Sequence, residues 1–454
     1  MTKYRSIALW GTLLSLASIS LGQPAPFQRD GQPDPNYVVP EELSLHYALL
    51  FALDNNYAIR QAKERIREQD GVVVEIRASQ VPNVAVTSSL SRNAKEISQS
   101  FPAQNENWGV AVQATQVLYA GGGVTAATRG AALAKQAAEL ELQGVINEQL
   151  LAVRTLFYGV LLAQEQVTVQ GENIKLLEGQ LNDARNRYEA GSISNFEVLR
   201  AQVALANGQP DLITARNNYR LAIEELRQVL GFSNTAADQA TRLPSFVGDL
   251  AVNGHDTMEL RDAIAAARAN RPELQRLVKL EAAGEEQVIT SRASARPQVS
   301  AFGRYDWARG GPGSGWSDKL DGWTLGLQAQ WDVFDGRATA GRVVQAKSRL
   351  MQTKLALEES QLAIDVEVRR AHSSLTEAWE LVEASGKVVA QADEALRLAN
   401  VRYNAGTATQ LDVLTSQVEL TRAKLNQLQA LYRYNVALAS LRKAIGQADP
   451  LIAG

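Results

Sequence analysis

RYEAGSISNFEVL occupies residues 187–199 and RYNAGTATQLDVL occupies residues 402–414. The two phrases open longer matching stretches. Residues 187–231 align without a gap to 402–446, and 15 of the 45 pairs are identical, against roughly three expected from average residue usage. The same offset of 215 residues sets Trp108 on Trp323, Gly121 on Gly336, VPNV (81–84) on RPQV (296–299) and Leu45 on Leu260. A chain that repeats in register over such a distance reads as a tandem duplication. Its copies are 43–231 and 260–446, with a turn-rich linker at 232–259 and a C-terminal tail at 447–454.

Each copy has one internal order. A helical pattern such as LHYALLFALDNNYAIRQAKERIREQ comes first, then two strand-like segments (about 79–121 and 294–336). A long helical run, the RYxAG phrase and a second helical run follow, so that each copy ends in a helical hairpin (123–231 and 337–446). The terminal Gly231 and Gly446 suit helix C-caps. Between the two arms of each hairpin the chain must reverse, and Gly191 and Gly406 supply that by positive φ or close backbone approach.

The strand signal is clearest in WTLGLQAQWDV. Trp323, Leu325, Leu327, Ala329, Trp331 and Val333 point one way, Thr324, Gly326, Gln328, Gln330 and Asp332 the other. Period-two alternation over this length is that of a tilted membrane-spanning strand. In PQVSAFGRYDW the alternation continues, broken by Phe302, and VAVTSSL and WGVAVQATQVLY carry it more weakly. The run 337–403 is too long for an ordinary globular helix. Its apolar seam is Ile364, Val368, Ala371, Leu375, Ala378, Val382, Ser385, Val389, Ala392, Leu396, Ala399 and Tyr403. Steps of four and three alternate throughout, which is a heptad seam. Its alanines predict close packing of helix axes.

The chain has 454 residues, 45% hydrophobic and 21% charged, with net charge −3 and no cysteine. That charge argues against a nucleic-acid partner. His46, His255 and His372 lie far apart in sequence, so a soft-metal site is not expected, nor any other cofactor. Lys3 and Arg5 ahead of the apolar run IALWGTLLSLASISL, with Ser20 and Gly22 behind it, read as an export signal at 1–22. The Pro-rich segment 23–42 cannot continue a helix. Past residue 22 no stretch reads as a spanning helix, so a membrane crossing must be made by strands.

Four candidate strands per chain set a constraint. An open sheet edge in hydrocarbon leaves N–H and C=O groups unpaired at several kcal/mol each. Four strands cannot close a barrel, because the smallest need about eight. Two chains give eight strands and a plugged centre, whereas three give twelve and a lumen.

RYNAGTATQLDVL with TSQVELTRAKLNQLQALYRYNVALASLRKAIG resembles the last helical hairpin of TolC-type outer-membrane efflux channels. RYEAGSISNFEVLRAQVALA resembles the matching earlier hairpin, and LYAGG and VFDG the strand-to-helix turns. The resemblance covers essentially the whole chain after the signal. It implies a mainly helical homotrimer with a twelve-stranded barrel in outer-membrane lipid and coiled-coil helices forming a periplasmic α-barrel. It also implies a periplasmic adaptor and an inner-membrane transporter as partners. The RYxAG turn falls at the tip where the family's tunnel closes. There Tyr403 matches a tyrosine that links to neighbouring helices, Glu197 matches its acidic partner, and Asp412 matches an acidic residue ringing the constriction. The family's linking arginine is replaced by Ala408 and a second acidic position by Thr415. Arg402 or Arg187 stands as a substitute, and Tyr188 is the first-copy counterpart of Tyr403.

AGGGVTAA imitates a dinucleotide-binding turn, but its duplicate DGRATAG loses the middle glycine and no second parallel strand follows. No enzyme signature is present. The structural alternative is a periplasmic coiled-coil adaptor or stalk, which would carry one hairpin flanked by soluble β-domains. The cargo is not written in these residues.

Overall fold

The computed structural model describes residues 42–92, 94, 106–232, 245–252, 254, 258–311, 315–449 and 451–452. The expected signal, nearly all of the Pro-rich segment and more than half of the linker lie outside the described residues. The elements run β1 (Glu42–Ser44), α1 (Leu45–Asn55), α2 (Tyr57–Ala78), β2 (Asn83–Arg92), β3 (Glu106–Ala120), α3 (Gly123–Glu189) and α4 (Asn195–Leu230). The order continues with β4 (Ser245–Val247), α5 (Leu260–Asn270), α6 (Pro272–Ala293), β5 (Gln298–Arg309), β6 (Lys319–Gln330), α7 (Ala338–Asn404) and α8 (Gln410–Ala444). Corresponding helices have matching lengths: 11 and 11, 22 and 22, 67 and 67, 36 and 35 residues. At 1.5 Å per residue a 67-residue helix reaches about 100 Å.

A helix of that length needs partners along its whole course. In α7 the seam finds them. Ile364, Val368, Leu375 and Ala378 are buried with Tyr434, Ala437, Leu441 and Ala444 of α8 and with Ala263 and Ala267 of α5. Nearer the hairpin turn, Leu396 and Ala399 pack with Val413 and Leu420 of α8, with Val389, Ala392 and Tyr403 beside them. Ser385, the polar member, turns its hydroxyl back to Val382 O at 3.1 Å.

The first copy solves the same problem by laying two shorter helices end to end along α3. Helix α4 meets the α1–α2 junction, where a Cβ on Gly231 would lie 2.5 Å from Asn55 O. At that junction the expected single helical pattern over 45–69 is broken by Asn56, which is extended (φ −61°, ψ 127°). Its Oδ1 accepts from the amides of Ala58 and Ile59, capping α2, while its Nδ2 donates to Val229 O at the end of α4 (2.7 Å). One side chain thus serves two helix ends. The duplicate position is Arg271, which donates to Lys443 O and Ala444 O and to Glu367. Burial pushes the Glu367 carboxyl up, but hydrogen bonds from Arg271 and Lys443 outweigh it and hold the group below its ordinary value.

Two segments read as linker and tail are tied to this level. β4 pairs in parallel with β1, Leu43 opposite Phe246. These strands of three residues are too short to show a period. Asp449 receives a fork of two hydrogen bonds from Arg154 of α3. Burial pushes Asp449 up, and the Arg154 guanidinium holds it below the usual carboxylate range.

One expectation is corrected here. An 18-residue window of α3 is apolar enough by composition to cross a membrane, and 39% of it is buried inside the chain. Along its 67 residues α3 packs against α1, α2, α4, α6 and α8.

β2, β3, β5 and β6 form one antiparallel sheet in that order. Their register gathers Val84, Val86, Leu90, Val110, Val112, Tyr305, Trp307, Trp323, Leu325 and Leu327 on one face. Thr87, Ser89, Gln113, Arg304, Asp306, Thr324 and Gln328 occupy the other. Phe302 lies on the polar face because Gly326 stands opposite it, and the ring fills the space a side chain would take. The strand signal overran its end: β6 stops at Gln330, and Trp331 turns away to donate its Nε1 to Ala295 O at 3.1 Å. β2 and β6 each have one neighbour only, so both sheet edges are open among the described residues.

Gly231→Ala and Gly406→Ala separate two uses of glycine. Both have positive φ (80° and 74°), but a Cβ at Gly406 meets nothing within 4 Å. Gly406→Ala is expected to cost about 1–2 kcal/mol of backbone strain. Gly231→Ala adds a clash with Asn55 O and should lower the melting temperature of the helical circular-dichroism signal much further. Equal effects would contradict the end-to-end junction.

Candidate functional site: the hairpin tips

The two tips are built alike. At the end of α3, Gly191 N–H donates to Tyr188 O (2.8 Å) and Ser192 N–H to Arg187 O (2.8 Å). At the end of α7, Gly406 N–H donates to Tyr403 O (3.0 Å) and Thr407 N–H to Arg402 O (2.9 Å). This paired closure is a Schellman turn, which requires a left-handed residue just past the helix. Both glycines have φ 74° and open space around them. Of the two expected reasons for glycine, positive φ is the operative one.

The next helix then starts. Thr409 caps α8 in a reciprocal capping box: its side chain accepts from Asp412 N, and Asp412 Oδ2 accepts from Thr409 N and Oγ1, each at 2.8 Å. Those hydrogen bonds from Thr409, backbone first, hold the Asp412 carboxyl below the usual range, and the charge of Arg402 adds to them. The exposed Asp412 thus has a local structural duty. In the first copy, Ser194 leaves the equivalent box unformed. Glu197 pairs instead with Arg200 at 3.1 Å.

The tips touch one another through side chains. The Arg187 guanidinium lies over the Tyr403 ring, 4.7 Å from its centroid, and its Nη2 donates to Asn404 Oδ1 at 2.9 Å. Asp183, one turn back on α3, holds Arg187 Nε at 2.9 Å. Of the two candidates to replace the missing arginine, Arg187 crosses between hairpins and Arg402 does not. Burial pushes the Tyr403 phenol up. Glu197 does not bond Tyr403. With its amide nitrogen turned toward them, the buried Gln410 donates to Glu197 O (3.1 Å) and Oε2 (2.7 Å). Tyr188 and Arg402 are exposed and make no such cross-hairpin contact.

Further from the tip, Gln417 of α8 reaches α3. It donates to Asn173 Oδ1 (2.9 Å) and accepts from Gln180, and Lys424 pairs with Glu172 at 3.1 Å. Gln417 is only 2% exposed. Sequence reasoning missed Gln410 and Gln417. Their steps of three and four from Val413 place both on α8's inward seam, and a glutamine there is the signal that was available. No group of His, Cys, Asp and Glu suited to a metal ion occurs among the described residues.

Arg187→Ala removes the ring contact and the Asn404 hydrogen bond together. Amide exchange at 400–409 should rise severalfold, with exchange in the α7–α8 seam around Leu375 and Tyr434 unchanged. Arg187→Lys should fall between the two, because an ammonium keeps the ring contact but loses the planar fork. Unchanged exchange at the tip in Arg187→Ala would remove Arg187 from this role.

The outer membrane efflux protein family matches residues 51–232 and 263–447, leaving the segment between the two copies unmatched. Protein CyaE of Bordetella pertussis is 26% identical over 450 residues, spanning 96% of this chain and 92% of that protein. The alkaline protease secretion protein AprF of Pseudomonas aeruginosa is 23% identical over 67% of this chain and 62% of its own length. The fold is that of the Campylobacter jejuni CmeC outer membrane channel (TM-score 0.76, 14% identity, 90% of this chain and 88% of that one). A family of outer-membrane channels leaves the adaptor alternative without support. The chain belongs to the outer membrane efflux protein family, and it is an exit duct of the outer membrane that extends into the periplasm.

Proposed function

We propose that three copies of the chain assemble into one conduit, closing a twelve-stranded barrel in lipid above a tube of six helical hairpins. The observation that carries this is the four-stranded sheet with one apolar face, one polar face and two open edges. Each open edge needs a partner in hydrocarbon, and β6 of one copy beside β2 of the next supplies it. Twelve strands leave room for a lumen, whereas eight are filled by their own side chains. Aromatic residues favour the same embedding: Trp108, Tyr305, Trp307 and Trp323 gather at one end of the apolar face, and Trp331 stands eight residues beyond Trp323. The eight strand residues 323–330 span about 26 Å, close to the height of an outer-membrane apolar band, with Trp331 just past the strand end.

Such a conduit does no chemistry on its cargo. An inner-membrane transporter supplies the energy, and a periplasmic adaptor joins it to the hairpin tips. The names of relatives speak for both small and large cargo. AprF is a protease secretion protein, and CzcC of Cupriavidus metallidurans is a cobalt-zinc-cadmium resistance protein. The tips form the constriction, with Tyr403, Arg187, Glu197 and Gln410 holding neighbouring hairpins. Asp412 Oδ1 is the oxygen its capping box leaves free, and three copies of it around the axis would favour cations.

Single-channel recording of the protein from outer-membrane fractions tests this reading. Discrete, cation-preferring openings are expected, with weaker preference in Asp412→Asn. A protein that remains water-soluble and never conducts would overturn the conduit. Unchanged selectivity in Asp412→Asn would remove only the carboxylate ring.

A further inference from the structure

We infer that the inner face of α7 and α8 carries a binding groove for a drug-sized organic anion, an apolar body bearing a carboxylate, sulfonate or phosphate group. The inference rests on the conduit reading and names a cargo class that reading leaves open.

The groove runs between α7 and α8 and holds about 620 Å³, with a continuation of about 310 Å³ toward the tip. Small-molecule sites have volumes in this range. What occupies the opposite face of the two helices fixes its direction. Asp365 and His372 of α7 bond Arg268 of α5 and Met258 O. Tyr434 and Asn435 of α8 bond Gly254 O and Leu250 O of the segment joining the two copies. With 3.6 residues per turn, Arg370, Ser374, Glu377 and Leu381 lie roughly 120–180° around α7 from Asp365. Tyr432, Val436 and Ser440 likewise lie on the far side of α8 from Tyr434. In the proposed tube the lumen stays open only if the added layer of α5 and linker is outside. The groove then faces the lumen.

The lining is apolar along its length and basic at two points. Val366, Ala371, Leu381 and Val436 supply the wall, with Val366 46% exposed and Leu381 37%. Arg370 and Arg433 line the same groove and are exposed, and among the described residues neither is held in an ion pair. Lys443 is bound to Glu367 at 2.9 Å, and Glu367 also accepts from Arg271. Glu377 is the other carboxylate of the lining, so three cations face two carboxylates and the groove stays positive. Guanidinium forks match the planar or tetrahedral oxygens of an anionic headgroup, while the arginine stems extend the apolar wall.

Duplicate positions supply an independent argument. The repeat offset sets Arg370 on Thr155, Arg433 on Asn218 and Lys443 on Gln228, all neutral in the first copy. Ala371 falls on Leu156 and Glu377 on Leu162, both larger and apolar. Helices α3 and α7 have the same length, so the two hairpins share their backbone requirements. A purely structural need for these cations would appear in both copies. It appears in one, together with the smaller residue that opens the groove.

Single-channel recording with pyrenesulfonate as a blocker tests the groove, with neutral pyrenemethanol as its control. The anion should block openings of the unaltered protein at concentrations where the neutral pyrene does not. Arg370→Gln and Arg433→Gln should each weaken the block severalfold, and together about tenfold, with conductance and cation preference unchanged. Ala371→Leu, which copies the first hairpin's residue, should weaken the block with both arginines in place. Arg369→Gln, at a position outside the lining, should leave it unchanged. An undiminished block in the double arginine variant, or equal block by the neutral pyrene, would overturn the groove and leave the conduit standing. A protein that opens no channel would overturn groove and conduit together.

Discussion

Unpaired backbone at the two margins of the β2–β3–β5–β6 sheet is the constraint from which the rest of the molecule follows. A strand edge in water is solvated, but in the proposed assembly the apolar face carrying Trp323, Leu325 and Leu327 lies in lipid, where water cannot bond its N–H and C=O groups. In the proposed assembly sister subunits supply those partners, and with them comes a shared axis around which the long helices are arranged.

Length is the second constraint. Helices of 67 residues are stable only if their apolar seams are covered end to end. Neither copy has a second helix of that length, so two shorter ones are placed in line against each long one. The cost of that arrangement is a helix C-terminus butting on a helix N-terminus, with carbonyls and amides to satisfy. Asn56 and Arg271 answer it at the same repeat position with different chemistry, one as a double cap and one as a buried cation bound to carbonyls and Glu367. The two corresponding positions share the geometric requirement, while the residue meeting it differs.

Much of this was legible because the signals were long. Twelve seam positions in α7 keep heptad spacing without a gap, and every apolar one lies in the packed α7 clusters. The two faces of the sheet follow from alternation alone, and Phe302 broke the pattern for a reason on the adjacent strand, a glycine opposite it. Features resting on a single residue or a few were not legible. Asn56 interrupts a helix whose apolar pattern runs straight through it, and β1 and β4 are three residues each. At the tip the participating types were foreseen but the pairing was not. Tyr403 was expected to meet Glu197, and it lies under Arg187 because the arginine reaches across while Glu197 is held by Arg200 and Gln410. Spacing tells which residues share a face, and not which of two nearby partners a flexible side chain will choose.

The number of chains around the axis tests the central claim most directly. Native mass spectrometry of the detergent-extracted protein counts them without assuming any contact. The account predicts one species of three chains, each close to 49.3 kDa less whatever leader is removed. A stable single chain with its sheet edges protected from exchange would contradict it.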